Sequence, residues 1–459
     1  MQSDWRTVTI GDIAEDVAMG PFGSNIPVSC FVPSGIPVIS GRHLHETRLF
    51  EDTFNFVSVE KADQLRRSNV QRGDIVFTHA GTIGQVSLVP ENSKYERYIM
   101  SQRQFKLSVR RTEASPKFLV YYFKSDVGQR ELFKFANQTG VPSLSRPVTN
   151  LRAIPINLPS LSEQEDIANI LGLFDDRIDL LRQTNATLES IAQALFKSWF
   201  IDFDPVRAKA EGREPEGMDA ETAALFPDSF EDSALGEIPK GWSVIPFGEL
   251  LSFAIGGDWG GEGPTDTCTQ QATIIRGTDI PDIAAGYFDG VPRRFVSPKK
   301  SEKRKLQDGD LVIEVSGGSK TQPTGRSLYV TKTVLAKLGA AVVPTSFCRL
   351  FRATDAHTAL LLSQHLIAIY QAGKMWNYQV QSTGLANFQT QHFLDSEVVV
   401  VPPPSVRKAF FDIVRPLIDR MNTAPIAELS ALRDALLPRL ISGKLRLPEA
   451  EAQLNEALA

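Results

Sequence analysis

From residue 162 to residue 199 apolar side chains return in alternating steps of four and three: Ile167, Leu171, Phe174, Ile178, Leu181, Asn185, Leu188, Ala192, Leu195 and Trp199. This spacing predicts one long helix with an unbroken heptad seam. Asn185 is its single polar member, the kind of residue that sets register at a cost in stability. Ser162 is the expected N-cap, with Glu163 and Glu165 in the first turn, where carboxylates favour the helix dipole. About 38 residues at ~1.5 Å each would make a rod of ~55 Å. A second helical stretch follows Pro402, Pro403 and Pro404, with Phe410, Val414, Leu417 and Met421 on one face, then Leu429, Leu432 and Leu436. Pro416 and Pro425 should kink or break it. The two seams are expected to meet as an antiparallel coiled coil within the chain, with homodimerisation as the competing outcome. The tail after Pro448 reads as frayed.

Ahead of each helical stretch the period changes. Short β-branched and aromatic runs such as GIPVIS (35–40), DIVFTH (74–79) and QFKLSV (104–109) lie between Gly, Pro and Asn turns, and predict strands. A helical stretch from Ser115 to Phe135 interrupts them, with Pro116 suited to its first turn. The same order recurs. Trp5 and Gly11 return as Trp242 and Gly248, and GDIVFTHAGTIG (73–84) returns as GDLVIEVSGGSK (309–320). NQTGVPSLS (137–145) returns as QSTGLANFQ (381–389), and LPSLSEQ (158–164) as VPPPSVR (401–407). The fold class is α+β, written twice, which makes a pseudo-symmetric molecule. Between the copies, 204–237 is acidic and broken by Pro and Gly, a connector with one short helix.

Composition narrows the class. With 459 residues, 42% hydrophobic and 22% charged, the chain suits a globular protein of two or three domains. No apolar run is long enough for a membrane span and no signal peptide is recognisable, so a cytoplasmic protein is expected. Cys30, Cys268 and Cys348 are too scattered for a disulfide scaffold or a zinc cluster, so no metal site is expected. The net charge of −5 is unevenly spread. Residues 161–236 hold 6 Lys and Arg against 17 Asp and Glu, whereas residues 1–160 hold 19 against 15 and residues 237–404 hold 16 against 15. Phosphate binding therefore stays open for both repeated regions.

No catalytic constellation can be assembled: there is no nucleophile elbow, phosphate-binding loop, zinc-protease helix, methyltransferase motif or nuclease core. Asp74 and Asp310 each follow a glycine before a strand and read as turn caps. The polar side chains instead suit DNA contact. In the first copy these are Arg42, His43, Arg66, Arg67, Arg72, Thr78, His79, Gln102, Arg103 and Gln104. Arg pairs with guanine and Gln with adenine, which makes 102–104 a base-reading candidate; solvent-facing strand residues are the equal alternative. In the second copy RRFVSPKKSEKRK (293–305) supplies Arg293, Arg294, Lys299, Lys300 and Lys303 to a phosphate patch. Lys320, Arg326, Asn377, Tyr378 and Gln379 complete the set, although Trp376 and Tyr378 could equally be core.

GPFGSNI (20–26), GDIVFTHAGTIG (73–84), PSLSEQEDIANIL (159–171), LFKSWFIDFDPVRAK (195–209), IPKGWSVIPFGEL (238–250) and ALLPRLISGKL (435–445) follow in that order. With the repeat and the heptad helices, the chain resembles the specificity subunit of Type I restriction–modification systems over essentially its full length. The resemblance implies two α+β target-recognition domains, 1–158 and 238–404, each reading half of a bipartite asymmetric DNA site. It makes 159–203 and 405–446 the conserved helices that set spacing and dock two methyltransferase subunits, with 204–237 a connector and 447–459 a tail. Restriction or translocase subunits would join through the complex. S-adenosylmethionine, ATP and Mg would be bound by those partners, and this chain would not itself be an enzyme. The alternatives are a subunit serving a methyltransferase alone and a coiled-coil scaffold with protein-binding heads. One departure stands out: GPFGSNI has IGGDWGGEG (255–263) in its place in the second copy, where a different contact with DNA, or none, is expected.

Overall fold

The computed structural model describes residues 5–137, 140–339, 341–382 and 385–458. Gln138, Thr139, Thr383 and Gly384, in the turn repeated by both copies, lie outside the described residues. The chain divides into two compact units, Met1–Ile178 with Glu428–Ala459, and Asp179–Ala427.

The two units are built alike. In the first, strand Arg6–Thr9 pairs antiparallel with Pro155–Leu158. Strands Ala14–Met19, Gln104–Val109, Ile75–Thr78 and Val86–Leu88 form a four-stranded sheet in that spatial order. In the second, Ser243–Pro246 pairs with Val398–Val401, and Leu251–Gly256, Cys348–Ala353, Leu311–Glu314 and Ser327–Tyr329 repeat the order. A further sheet sets Ile36–Ile39 parallel to Arg97–Met100 in one unit and Gln270–Ile275 parallel to Val342–Pro344 in the other. Even single bonds recur: the Ile10 amide donates to the Ile154 carbonyl (2.9 Å) and the Phe247 amide to Glu397 (2.7 Å). The alternation in 104–109 buries Phe105, Leu107 and Val109. Phe105 stacks on Phe77 (4.9 Å), which meets Phe123 edge-on (5.0 Å), so this aromatic cluster anchors the first sheet to the helix Pro116–Lys124. The expected 115–135 helix is split at Ser125, whose hydroxyl caps a second helix, Asp126–Phe133.

The long helix is Leu161–Phe200. Its cap is Ser160, not Ser162: the Glu163 amide donates to Ser160 Oγ (3.3 Å), two residues earlier than expected. The side chain of Gln164 secures this end by donating to the Pro159 carbonyl and accepting from the Ser115 amide. Ile167, Leu171, Phe174, Ile178, Leu181, Asn185, Ala192 and Trp199 are buried, and Leu188 and Leu195 half-buried. In the first unit Asp175 of this helix accepts from Arg433 of the helix Ile426–Ile441 (2.6 Å) and from Tyr121 (2.6 Å). In the second unit Phe200 meets Phe410 (4.9 Å) of the helix Pro404–Thr423, while Asn185 Nδ2 donates to the Met421 carbonyl (3.3 Å). Numbers rise along one helix as they fall along the other, the antiparallel coiled coil expected from the seams. Phe410, Val414, Leu429 and Leu436 are buried, with Leu417, Met421 and Leu432 half-buried.

Pro425 ends the Pro404–Thr423 helix and a new one starts at Ile426, whereas Pro416 lies inside a helix that continues past it. The Met421 carbonyl would normally accept from the amide four residues on, but that residue is Pro425, which has no N–H. Asn185 supplies a donor there, beside the Ala424 amide (3.3 Å). The connector is more ordered than its composition suggests. It forms helices Asp204–Ala210 and Ala220–Ala224 and a hairpin of Phe230–Ser233 with Gly236–Pro239. Phe226 packs edge-on against Trp199 (5.0 Å), and this burial outweighs the polar composition around it. The tail forms a helix, Leu447–Leu458, with Ala450 and Leu454 buried, where the sequence reads as frayed. No helix among the described residues is long and apolar enough to cross a membrane.

Candidate nucleic-acid interface

Asp74 and Asp310 open equivalent strands and are buried. Asp74 accepts from the Gln71 amide (2.9 Å) and Lys106 Nζ (2.9 Å); Asp310 accepts from the Gln307 amide (2.7 Å) and two guanidinium nitrogens of Arg352 (2.7 Å each). Each carboxylate closes a turn and ties it to the neighbouring strand, the capping role expected from the sequence.

Several of the polar residues named as DNA contacts are instead built into the fold. His43 is buried at 1% exposure, accepts the Ser40 amide at Nδ1 (2.9 Å) and stacks on Phe54 (4.4 Å). Burial lowers its pKa and keeps the ring neutral, against a weaker opposing pull from the Thr53 carbonyl. Thr78 is buried and donates to Gln85 Oε1 (3.1 Å). Gln104 is buried and accepts from Ser101. Tyr378 is buried, donating to Glu397 Oε2 (2.5 Å), while its neighbour Trp376 is exposed. Arg326 grips Glu314 with two bonds (2.6 and 3.0 Å), and Gln379 Oε1 accepts the Thr324 amide (3.0 Å). Arg72 holds the Ser93 carbonyl (2.8 Å), and the half-buried His79 ring lies against the Gln102 carbonyl (3.1 Å). In these residues polarity satisfies backbone and side-chain groups of the protein itself, most of them buried or half-buried.

The remainder face solvent. Arg66 and Arg67 lie on the short turn Arg66–Ser68, and Gln102 and Arg103 on the turn before Gln104. Arg42 is exposed, though its guanidinium reaches the Thr53 carbonyl. In the second unit Lys299, Lys300 and Lys303 line the helix Pro298–Arg304, with Lys300 near Asp258 (3.3 Å). Arg293, Lys320 and Asn377 are exposed. Arg294 is half-buried: it pairs with Glu262 (2.8 Å) and lies over the Trp259 ring (4.6 Å). The surface of the first unit thus offers arginine and amide donors, and that of the second a lysine-rich helix, chemistry suited to base edges and phosphates respectively. Among the described residues, no group of three His, Cys, Asp or Glu side chains is arranged to hold a metal ion.

The loop in which the two copies differ has the same backbone construction in both. The Gly20 amide donates to the Gln104 carbonyl (2.8 Å), and the Gly257 amide to the carbonyl of Cys348 (3.1 Å), which opens the equivalent strand. Sequence reasoning missed this match. The signal was there: Gly20, Phe22 and Gly23 recur as Gly257, Trp259 and Gly260, at the same offset as Trp5 and Trp242. It also missed Gln85 and Glu314, the partners of Thr78 and Arg326.

Residues 2–190 match the family model for the Type I restriction modification DNA specificity domain. The chain is 25% identical over 389 residues to the Type I restriction enzyme MjaIX specificity subunit of Methanocaldococcus jannaschii, covering 82% of this chain and 79% of that protein. It is 29% identical over 231 residues to the HindI specificity subunit of Haemophilus influenzae, covering 49% of this chain and 46% of that one. The fold resembles the crystal structure of a Type I restriction–modification S subunit from M. genitalium, with a TM-score of 0.55 at 16% identity over 95% of this chain and 96% of that one. Residues 2–190 thus match a Type I DNA specificity domain, and over most of its length the chain is similar to specificity subunits of Type I restriction enzymes.

Proposed function

We propose that the chain reads a bipartite, asymmetric DNA sequence, one half with each α+β unit, and that its paired helices set the spacing and dock two methyltransferase subunits. Restriction subunits join through that assembly in the cytoplasm. Methyl transfer and cleavage belong to the partners, which bind S-adenosylmethionine, ATP and Mg; this chain supplies recognition alone. The observation that supports this reading is the repeat: one sheet order and one set of anchoring carboxylates in both units, under different exposed side chains. A repeated scaffold with divergent surfaces suits two readers of different sequences. The test is single-molecule sequencing of the host genome with and without this gene. Loss of N6-methyladenine at one asymmetric two-part motif is expected. An unchanged pattern with the partner subunits expressed would favour a protein-binding scaffold.

A further inference from the structure

Phe22 is 83% exposed, the most exposed large apolar side chain among the described residues, yet its loop is anchored. The Gly20 amide is bonded to Gln104, the Asn25 amide donates to the Phe22 carbonyl (2.8 Å), and the Gln102 amide group rests on Gly23. A Cβ at Gly20 would lie 2.1 Å from the Ser101 carbonyl oxygen, and one at Gly257 2.1 Å from those of Pro344 and Thr345. Only glycine lets these loops leave the sheet so close to the neighbouring strand. Trp259 stands at the matching position, 37% exposed, under the guanidinium of Arg294. Each unit therefore holds one aromatic ring forward on a fixed base, Phe22 on the loop whose Gly23 meets the exposed Gln102, Trp259 next to a cation. A rigid exposed ring beside donors for bases and phosphates matches the chemistry of a nucleobase.

We propose that Phe22 and Trp259 are equivalent base-stacking fingers, each inserted at one base step of the half-site its unit reads. This rests on the bipartite reading above. Insertion between bases unstacks the step and adds a contact that tolerates sequence, so the ring would position the duplex for the neighbouring readers.

The test uses the full chain and a duplex carrying the motif recovered by methylation sequencing, with 2-aminopurine substituted at single positions. Binding of the wild-type chain should raise fluorescence at one step in each half-site. Phe22→Ala should abolish the rise in one half only and weaken binding by about fivefold to a hundredfold. Trp259→Ala should do the same in the other half, and Phe22→Trp should retain the signal. Because Phe22 is so exposed, its removal leaves the fold intact; for Trp259, Trp259→Phe serves as the variant that keeps a ring over Arg294. Motif-specific binding with no fluorescence change, or with Phe22→Ala indistinguishable from wild type, would overturn the inference and leave the bipartite reading standing. Loss of co-purifying protein partners in Phe22→Ala, with the DNA signal unchanged, would reassign the loop to a protein contact. Equal binding to motif and scrambled duplexes would overturn the bipartite reading and the inference together.

Discussion

Thr78 and Glu314 end the same strand of the same sheet in the two units, and each is buried against a side chain from the far side of the following turn. The first unit joins a hydroxyl to an amide, Thr78 to Gln85; the second joins a carboxylate to a guanidinium, Glu314 to Arg326. Four residues earlier, Asp74 and Asp310 hold a cation in both. The contrast separates what the scaffold demands from what it tolerates. The turn at the strand's start needs a carboxylate to accept its amide. The strand's end needs only a satisfied polar pair, and a neutral pair or an ionic one will serve. The ionic version is the more brittle, because losing one partner strands a buried charge.

Substitution at this pair is the strongest way to break the comparison. Glu314→Ala should cost the second unit about 3–5 kcal/mol, whereas Thr78→Ala should cost the first about 1 kcal/mol. Denaturant unfolding followed by hydrogen exchange in each unit would show this; equal losses would erase the distinction. Acidification should sharpen it. Burial lowers the pKa of His43 and His79, outweighing the carbonyls that bond them, so folding favours their neutral rings. Their contribution is full above about pH 6.5 and is lost as pH falls below it. Burial alone would raise Glu397 in the second unit, but hydrogen bonds from His365, Lys374 and Tyr378 prevail and bring it down to about 2. Its contribution is full above about pH 4.5 and fades only below that. Limited proteolysis at pH 7 and pH 5.5 should therefore find the first unit loosening before the second; the reverse order would refute the assignment.

The surfaces differ more mildly. Arg103→Ala should relax preference at one base pair of one half-site by about 1–3 kcal/mol, read by competition binding against single-base variants. Lys299→Ala and Lys303→Ala should weaken binding to all sequences and each reduce the salt slope by about 1. A changed base preference with the slope intact would move those lysines from phosphates to bases.

The long helix was legible because its signal is local and periodic: the seam from Ile167 to Trp199 is buried or half-buried as spaced. The strands and the break at Pro425 were equally open to reading, since β-branched runs and a missing amide act within a few residues. Capping was legible in kind and displaced in position, because Ser160 and Ser162 both suit an N-cap and only the side chain of Gln164, which fixes Pro159 and Ser115, favours the earlier one. The order in the connector and tail was not legible. It depends on distant partners, such as Trp199 for Phe226. Nor could sequence separate His43, Thr78 and Gln104, turned inward, from Gln102 and Arg103, turned out. A polar residue in a turn-rich segment looks the same whether it satisfies a buried group or waits for a ligand.

The bond from Asn185 to the Met421 carbonyl also makes the helix pair intolerant of slippage. The carbonyl that Asn185 meets is one deprived of its own amide, and Pro425 decides its place. A slip of one heptad would set the Asn185 amide against apolar side chains and leave it unsatisfied, a penalty of about 1–3 kcal/mol. Lengthening the helix on either side of Asn185 is then not the same change: one insertion preserves the alignment mark for the second unit's half of the pair, the other displaces it. Natural or engineered length variants of this chain should accordingly accumulate on the N-terminal side of Asn185, an asymmetry that would be visible as a bias in where viable insertions fall.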